Sequence, residues 1–457
     1  MAEEKVMNRN APEILMVNPW IHDFAAYDFW AKPLGFLTLA AILSQNGFSI
    51  SYIDALDRFH PKAGKKDPYL RHGRGPYRKT IIPKPESLND IPRTFSRYGI
   101  EPEWFREDLL SVPRPDLIFV TSMMTYWCSG VRETIKTIRD VFQEVPIVLG
   151  GIYATLCHDH AKSFSGADLV VTGEGEKKII DIAEEYTGFS ASINFDLDNF
   201  DPDNIDTYPY PAFDLQNRIN YVPILTSRGC PFSCAYCASH ILSPKRMQRN
   251  PGSVVEEIKY WNGKFGVKDF AFYDDALLMN PENHAVPMFE EIIRSGMKIR
   301  FHTPNALQIR EITKDVAELL FKAGFETIRL GLETTVFDHR SELDRKVTEE
   351  EFGKAVLYLK DAGFNKKQIG AYLLAGLPEQ SLQSVEDSIR TVKKSGITPV
   401  LAHYTPIPHT AMWEKAIESS RYDLNSNPLF TNNAIMPCSR ENFSWKEIAY
   451  LKKMTLE

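Results

Sequence analysis

Cysteine is scarce in this chain, with six among 457 residues. So few thiols exclude a disulfide framework of the kind that holds small secreted domains together. The opening stretch, MAEEKVMNRNAPEILMVNPW, is polar and lacks an apolar core of signal-peptide length. The expectation is a reducing, cytoplasmic setting in which cysteines are thiols or metal ligands. No run of eighteen apolar residues occurs, so no helical membrane span is expected. A basic excess is also missing: 53 Lys and Arg stand against 60 Asp and Glu, for a net charge of −7. That balance argues against a nucleic-acid partner held on a broad basic face. What is present is the composition of a folded chain, 43% hydrophobic and 12% aromatic, at a length that implies two or more domains.

The first third alternates apolar runs with helical stretches. EILMVNP (13–19), FSISYIDA (48–55), PDLIFVTSMM (115–124), VPIVLGG (145–151) and ADLVVTG (167–173) read as buried strands, with helices between them. This pattern predicts a doubly wound, flavodoxin-like parallel sheet over residues 10–190. Residues 58–113, rich in Pro, Arg and Lys, interrupt it and read as an insertion. Residues 191–220 read as a linker, and beyond them six β–α repeats fill 221–415. Right-handed crossovers wind six such units into a partial (β/α)6 barrel, with its chemistry at the C-terminal strand ends. Residues 416–457 form a tail expected to pack across the barrel mouth.

Half of the cysteines sit in one loop at the end of the first barrel strand, RGCPFSCAYCAS (228–239). Cys230, Cys234 and Cys237 within eight residues suit an iron–sulfur cubane that leaves one iron free. A zinc site completed by His240 is the rival, but zinc ligands usually come from two separated knuckles. Cys128, Cys157 and Cys438 are scattered and read as small buried hydrophobes.

CPFSCAYC resembles the signature of the radical S-adenosylmethionine (SAM) superfamily. The resemblance implies a [4Fe–4S] cluster on the three cysteines, with the amino and carboxylate groups of SAM on the open iron. Reductive cleavage of SAM to a 5′-deoxyadenosyl radical, fed by a flavodoxin or ferredoxin type of donor, is the implied chemistry. Residue by residue, it places Tyr236 near the adenine and Asp274 and Asp275 at the methionine ammonium. Glu333 is then a ribose or methionine contact, and Arg246 or Arg249 a partner for the methionine carboxylate. Gly370 and Gly376, in GAYLLAGLP, lie beside the adenine in the same scheme, and YTPIPHT (404–410) resembles the family's sixth-strand end.

A Rossmann-like domain ahead of such a barrel resembles the branch of the superfamily with an N-terminal cobalamin-binding domain. The corrin is then expected on the loops NPWIHD, TSMMTYW, GGIYATL and TGEGE, with Ser122, Gly150, Gly151 and Gly173 against it. The Asp-x-His-x-x-Gly segment that ligates cobalt in many cobalamin domains is missing, and His22 is the nearest histidine. A polar loop role suits His22 better than a cobalt ligand. His158 and His160 beside Cys157 turn apart on a helix and read as capping or solvated groups. The implied reaction is methylation of an unactivated carbon or phosphorus of a small molecule. Cyclisation or rearrangement of a small molecule or lipid precursor is the alternative, and a cluster- or corrin-based sensor the rival from another class. A tRNA methylthiolating enzyme is disfavoured, since no basic C-terminal extension and no second cysteine triplet is present.

Overall fold

The computed structural model describes residues 11–191, 200–337, 343–344, 347–438 and 443–456. Residues 192–199 of the expected linker lie outside that set.

Five strands build the first sheet: β1 (Glu13–Asn18), β2 (Ser49–Asp54), β3 (Leu117–Val120), β4 (Ile147–Leu149) and β5 (Leu169–Val170). All pairings are parallel and the spatial order is β2-β1-β3-β4-β5, the flavodoxin-like arrangement. The apolar runs of β1 and β3 are continuous because both faces are covered. Leu15, Val17, Ile118 and Val120 pack with Val131, Ile135 and Ile138, while Ile14, Met16, Leu117 and Phe119 pack with Phe36, Ala40, Leu43 and Ile179.

The segment 58–113 is not wholly an insertion. Its last part holds the helix Pro102–Ser111, which stands between β2 and β3 in the chain as a crossover helix. Only Phe105 and Leu109 are buried in this otherwise polar helix, so its apolar period is too sparse to read from sequence. The earlier part adds two short strands, Lys79–Ile81 and Ser96–Tyr98, and the second of these pairs antiparallel with Lys79–Ile81 on one side and with Ile21–Asp23 on the other.

The barrel strands are β6 (Val222–Ile224), β7 (Asp269–Phe272), β8 (Arg300–His302), β9 (Phe325–Glu333), β10 (Ile369–Ala375) and β11 (Thr398–His403). They pair in chain order, all parallel, in one six-stranded sheet. Helices between them begin and end where the side chains dictate. Asn250 caps Pro251–Phe265, which stops at left-handed Gly266, and Thr348 with Glu351 forms a capping box on Glu349–Asp361.

The tail reaches both domains. Asn432, fully buried, donates to Asp23 at 2.9 Å, and the Thr125 and Thr431 hydroxyls meet at 3.0 Å. Asn433 donates to Thr405, just beyond β11, at 3.0 Å. No helix among the described residues is long and apolar enough to cross a membrane.

Candidate functional site

The cysteine loop leaves β6 through Ser227 and Arg228, which pair antiparallel with Met247 and Gln248. Gly229 follows at φ +80°, and a Cβ there would sit 3.1 Å from the carbonyl oxygens of Ser243 and Lys245. Only glycine makes that turn without strain. Cys230 and Cys237 line a cavity of about 370 Å³ at the barrel mouth, and Cys234 is buried beside it. The Ser239 amide points at the Cys237 sulfur, 3.4 Å away, a contact that favours a thiolate.

Three thiols in one loop could serve a cluster or a single ion. Ligands of one tetrahedral zinc stand about 4 Å apart, given Zn–S bonds of about 2.3 Å. Among the described residues, one set of three ligating groups lies within 4.8 Å mutual reach, His72, Asp269 and His302, and it contains no thiol. That set is itself committed elsewhere, because Arg300 grips both oxygens of Asp269, at 2.7 and 2.6 Å. His240 is exposed and joins no such set.

Of the residues expected around SAM, Tyr236, Asp275 and Glu333 line the cysteine cavity. Tyr236 is packed under Tyr404 and Leu424, and burial together with the Glu333 carboxylate holds its hydroxyl protonated far above the usual range. Glu333 ends β9 at φ +63°, where the strand's register with β10 is irregular. A non-glycine residue at that φ is strained and is held there by its surroundings. Asp275 accepts from the Ser239 hydroxyl, and the carbonyls of Tyr273 and Asp275 accept from Asn305 and Gln308 at 2.8 and 3.0 Å.

Five other positions stand elsewhere. Asp274 faces away from the cavity: it is buried and accepts from the Thr226 amide and hydroxyl and from the Ser227 hydroxyl, pinning β6 where the cysteine loop begins. Burial raises its pKa and these bonds oppose the rise. Arg246 is exposed and lines neither this cavity nor the one below, and Arg249 is spent on Glu257 at 2.5 Å. Gly370 lies in the first half of β10, where its missing side chain makes room for Arg329. Gly376 is at the mouth end, at φ +88°, and there it receives Met436 of the tail.

The second cavity, about 430 Å³, runs along the C-terminal edge of the first sheet and ends on the barrel. Ser122, Gly150, Gly151 and Gly173 all line it. The Ser122 hydroxyl donates to the Gly150 carbonyl at 2.7 Å, and Gly151 at φ +98° lies so close that a Cβ would stand 2.3 Å from the Ser122 oxygen. Gly150 and Gly173 have open space where a side chain would be. Phe36, Leu39, Ile179 and Ile182 give the inner end an apolar slot. A backbone-lined edge over an apolar slot fits a flat, largely apolar ligand with a polar rim. Arg228 and Asp275 from the barrel close the far side, so Asp275 is shared by the two cavities.

His22, in the short antiparallel sheet, is taken by Glu133 of the helix Cys128–Val141, whose carboxylate stands 2.8 Å from its Nε2. His160 bonds the Tyr153 hydroxyl at 2.7 Å, and His158 starts the helix His158–Phe164. Cys128 and Cys438 are buried, with thiols pushed up to about 12 by desolvation, as expected of inert packing residues. Cys157 is only half-buried. Sequence reasoning missed Arg228 and Glu176, which pair across the second cavity.

Comparison with known proteins agrees with this architecture. The model of the radical SAM superfamily matches residues 224–392, and that of the B12 binding domain matches residues 99–183. An uncharacterized methyltransferase of Pyrococcus horikoshii, PH0819, is 26% identical over 67% of this chain and 70% of its own length. The anaerobic magnesium-protoporphyrin IX monomethyl ester cyclase of Cereibacter sphaeroides is 25% identical over 66% of this chain, which spans just over half of that protein, 53%. Among solved structures, the radical SAM methyltransferase TsrM of Kitasatospora setae, with cobalamin and a [4Fe–4S] cluster bound, superposes with a TM-score of 0.67 at 16% identity, covering 97% of this chain and 91% of that one. The chain thus carries a radical SAM domain at residues 224–392 and, ahead of it, a B12-binding domain at residues 99–183. The two cavities fit the cofactors of those domains, a [4Fe–4S] cluster with SAM at the barrel mouth and cobalamin along the sheet edge.

Proposed function

We propose that this protein is a cobalamin-dependent radical SAM enzyme that methylates an unactivated carbon or phosphorus of a small molecule. The observation that carries this reading is the shared wall: the cavity along the glycine-rich sheet edge and the cavity of the cysteine loop meet at Asp275. A methyl carrier in one would stand beside a radical generator in the other. When bound, the cluster with SAM supplies one-electron cleavage that gives a hydrogen-abstracting adenosyl radical, and cobalamin supplies a transferable methyl group.

In this reading Cys230, Cys234 and Cys237 hold the cluster, and Tyr236, Asp275 and Glu333 seat SAM. Asp275 offers the carboxylate that an ammonium group needs in a partly buried site. Ser122, Gly150, Gly151 and Gly173 form the bed for the corrin. Asp274 sets the position of the loop without touching ligand, and the tail over Gly376 helps exclude water. The reaction needs a low-potential electron, for which a flavodoxin or ferredoxin type of donor in a reducing, cytoplasmic setting is the partner.

The test is an anaerobic incubation of protein loaded with cluster and hydroxocobalamin, with dithionite and SAM labelled in its methyl group. Label appearing in protein-bound methylcobalamin, together with S-adenosylhomocysteine and 5′-deoxyadenosine, is the expected result. The cyclase relative favours cyclisation as the second reading. Formation of 5′-deoxyadenosine with no labelled methylcobalamin would favour it, and formation of neither product would favour a sensor.

A further inference from the structure

We infer that Arg74 and Arg329 form an oxyanion site at the floor of the barrel, so that the substrate is an acid bound by its carboxylate or phosphate. The inference rests on the proposed function and names the substrate class of that same site.

Arg74 comes from the first domain's RHGRGP segment and is held from both sides. Arg71, His72 and Gly73 are three consecutive left-handed residues, at φ +55°, +58° and +83°. The Gly73 carbonyl accepts from Asn220 at 2.6 Å and from Arg58 at 2.7 Å. On the other side, Gly75 exchanges two backbone hydrogen bonds with Asp28, at 3.0 and 3.1 Å. The strained turn and its clamps on either side fix the backbone from which the Arg74 side chain leaves. The Arg74 guanidinium lies over the Trp30 ring, 4.6 Å from its centroid, and Trp30 stacks at 4.3 Å on His302, a fully buried residue of β8. The first domain therefore sends a cation onto the barrel's inner wall.

Arg329 points inward from β9, between Ile328 and Leu330, whose side chains belong to the outer core. Gly370 on β10 is what lets it lie there, because an added Cβ would be 3.0 Å from its Nη1 and 3.2 Å from its Cδ. Tyr372, next but one along β10, lines the cysteine cavity and donates to the Pro304 carbonyl at 2.8 Å. The floor and the cluster cavity thus meet at Tyr372.

Neither cation has a counter-ion. Arg58, Arg228, Arg249 and Arg300 each meet a carboxylate within 3 Å. Arg74 and Arg329 meet none among the described residues: Arg74 donates to the Arg71 carbonyl, and Arg329 to the Ile328 carbonyl and the Tyr372 hydroxyl. Burial lowers the ionisation of both, and Arg74 lowers that of Arg329 further. The nearby carboxylate, Asp269, is already taken by Arg300 and His302. Two half-buried guanidiniums that feel each other and lack an anion are costly alone. An oxyanion completes them, and the planar fork of arginine suits its oxygens. The anionic end of the substrate then sits on the floor, and its reactive atom faces the mouth.

The test uses anaerobic protein carrying cluster and cobalamin, titrated calorimetrically with phenylacetate, phenyl phosphate and the neutral phenylacetamide. The expected result is that at least one acid binds ten-fold or more tighter than the amide, the tighter acid identifying the group. Arg74→Gln and Arg329→Gln each weaken that acid about ten- to a hundred-fold, the loss of one charge-assisted contact. Arg329→Lys, which keeps charge and fold but loses the fork, is intermediate. Cluster content and circular dichroism matching wild type identify the variants that are folded. If the acids and the amide bind alike, if no acid binds, or if both Gln variants bind as tightly as wild type, the inference is overturned. Absence of 5′-deoxyadenosine from wild type would instead fail the proposed function.

Discussion

Arg228 donates to Glu176 at 2.5 Å, joining the residue that opens the cysteine loop to the turn that follows the first domain's last strand. The side chains are 14% and 6% exposed, so the pair is sealed from solvent between the two domains. Glu174 stands 3.9 Å away on the same turn. The corrin bed and the cluster loop are therefore mechanically continuous. A double-mutant cycle with Arg228→Met and Glu176→Gln, read by chemical denaturation, is expected to give a coupling of about 2 kcal/mol. Each single variant should also retain less cobalamin after desalting. Additive effects, with corrin retention unchanged, would show that the pair only decorates the interface.

Adjacent glycines on the sheet edge should respond differently. Gly151→Ala places a Cβ against the Ser122 backbone at a left-handed φ. It is expected to cost about 1–3 kcal/mol and to abolish corrin retention. Gly150→Ala meets nothing within 4 Å and should fold normally, but its methyl group enters the cavity, so corrin bands after desalting should be weaker.

Asp275 and Arg246 separate the structural reading from the sequence reading. Asp275→Asn should weaken SAM binding about ten-fold or more, the worth of a charge-assisted hydrogen bond. Arg246→Ala should leave it within about two-fold, because the side chain is exposed and lines neither cavity. Equilibrium dialysis with labelled SAM on cluster-loaded protein decides both. Equal losses would restore Arg246 as a carboxylate partner.

Stability should depend on pH through Asp54. This residue ends β2 in a separate polar cavity, accepts from Asn18 at 2.7 Å, and has its carboxyl pushed up to about 6 by burial and by Asp57. The folded chain holds this proton more tightly than the unfolded chain, whose carboxyl titrates near 3.8. Its contribution is therefore complete below pH 3.8 and is lost as pH rises through about 6. The loss should amount to about 3 kcal/mol, and Asp54→Asn should abolish it. Denaturation midpoints of wild type and variant between pH 4 and 7 measure the difference. Lys32, depressed to about 8 in the opposite sense, titrates above that window.

The division between what could be read from the chain and what could not follows from the physics. Strands β1, β3, β6 and β7 are runs of buried residues and announce themselves, and six β–α repeats leave few topologies. Three thiols in one loop carry their chemistry in their spacing. The roles of Asp274 and Gly370 depend instead on which way a side chain points at a strand end. Asp274 and Asp275 are neighbours in the chain, yet one is buried against Thr226 and the other faces both cavities. The Arg228–Glu176 pair spans 52 residues, and Arg74 reaches the barrel from another domain. No local period encodes such contacts, because tertiary packing alone makes them.

The central claim, a cluster held by Cys230, Cys234 and Cys237 with one iron open to SAM, is tested most directly by EPR of the reduced, reconstituted protein with and without SAM. The account predicts that SAM shifts the g-values of the reduced cluster, and that replacing any one of the three cysteines by alanine removes this response. A spectrum unchanged by SAM in protein carrying about four irons per chain would contradict it.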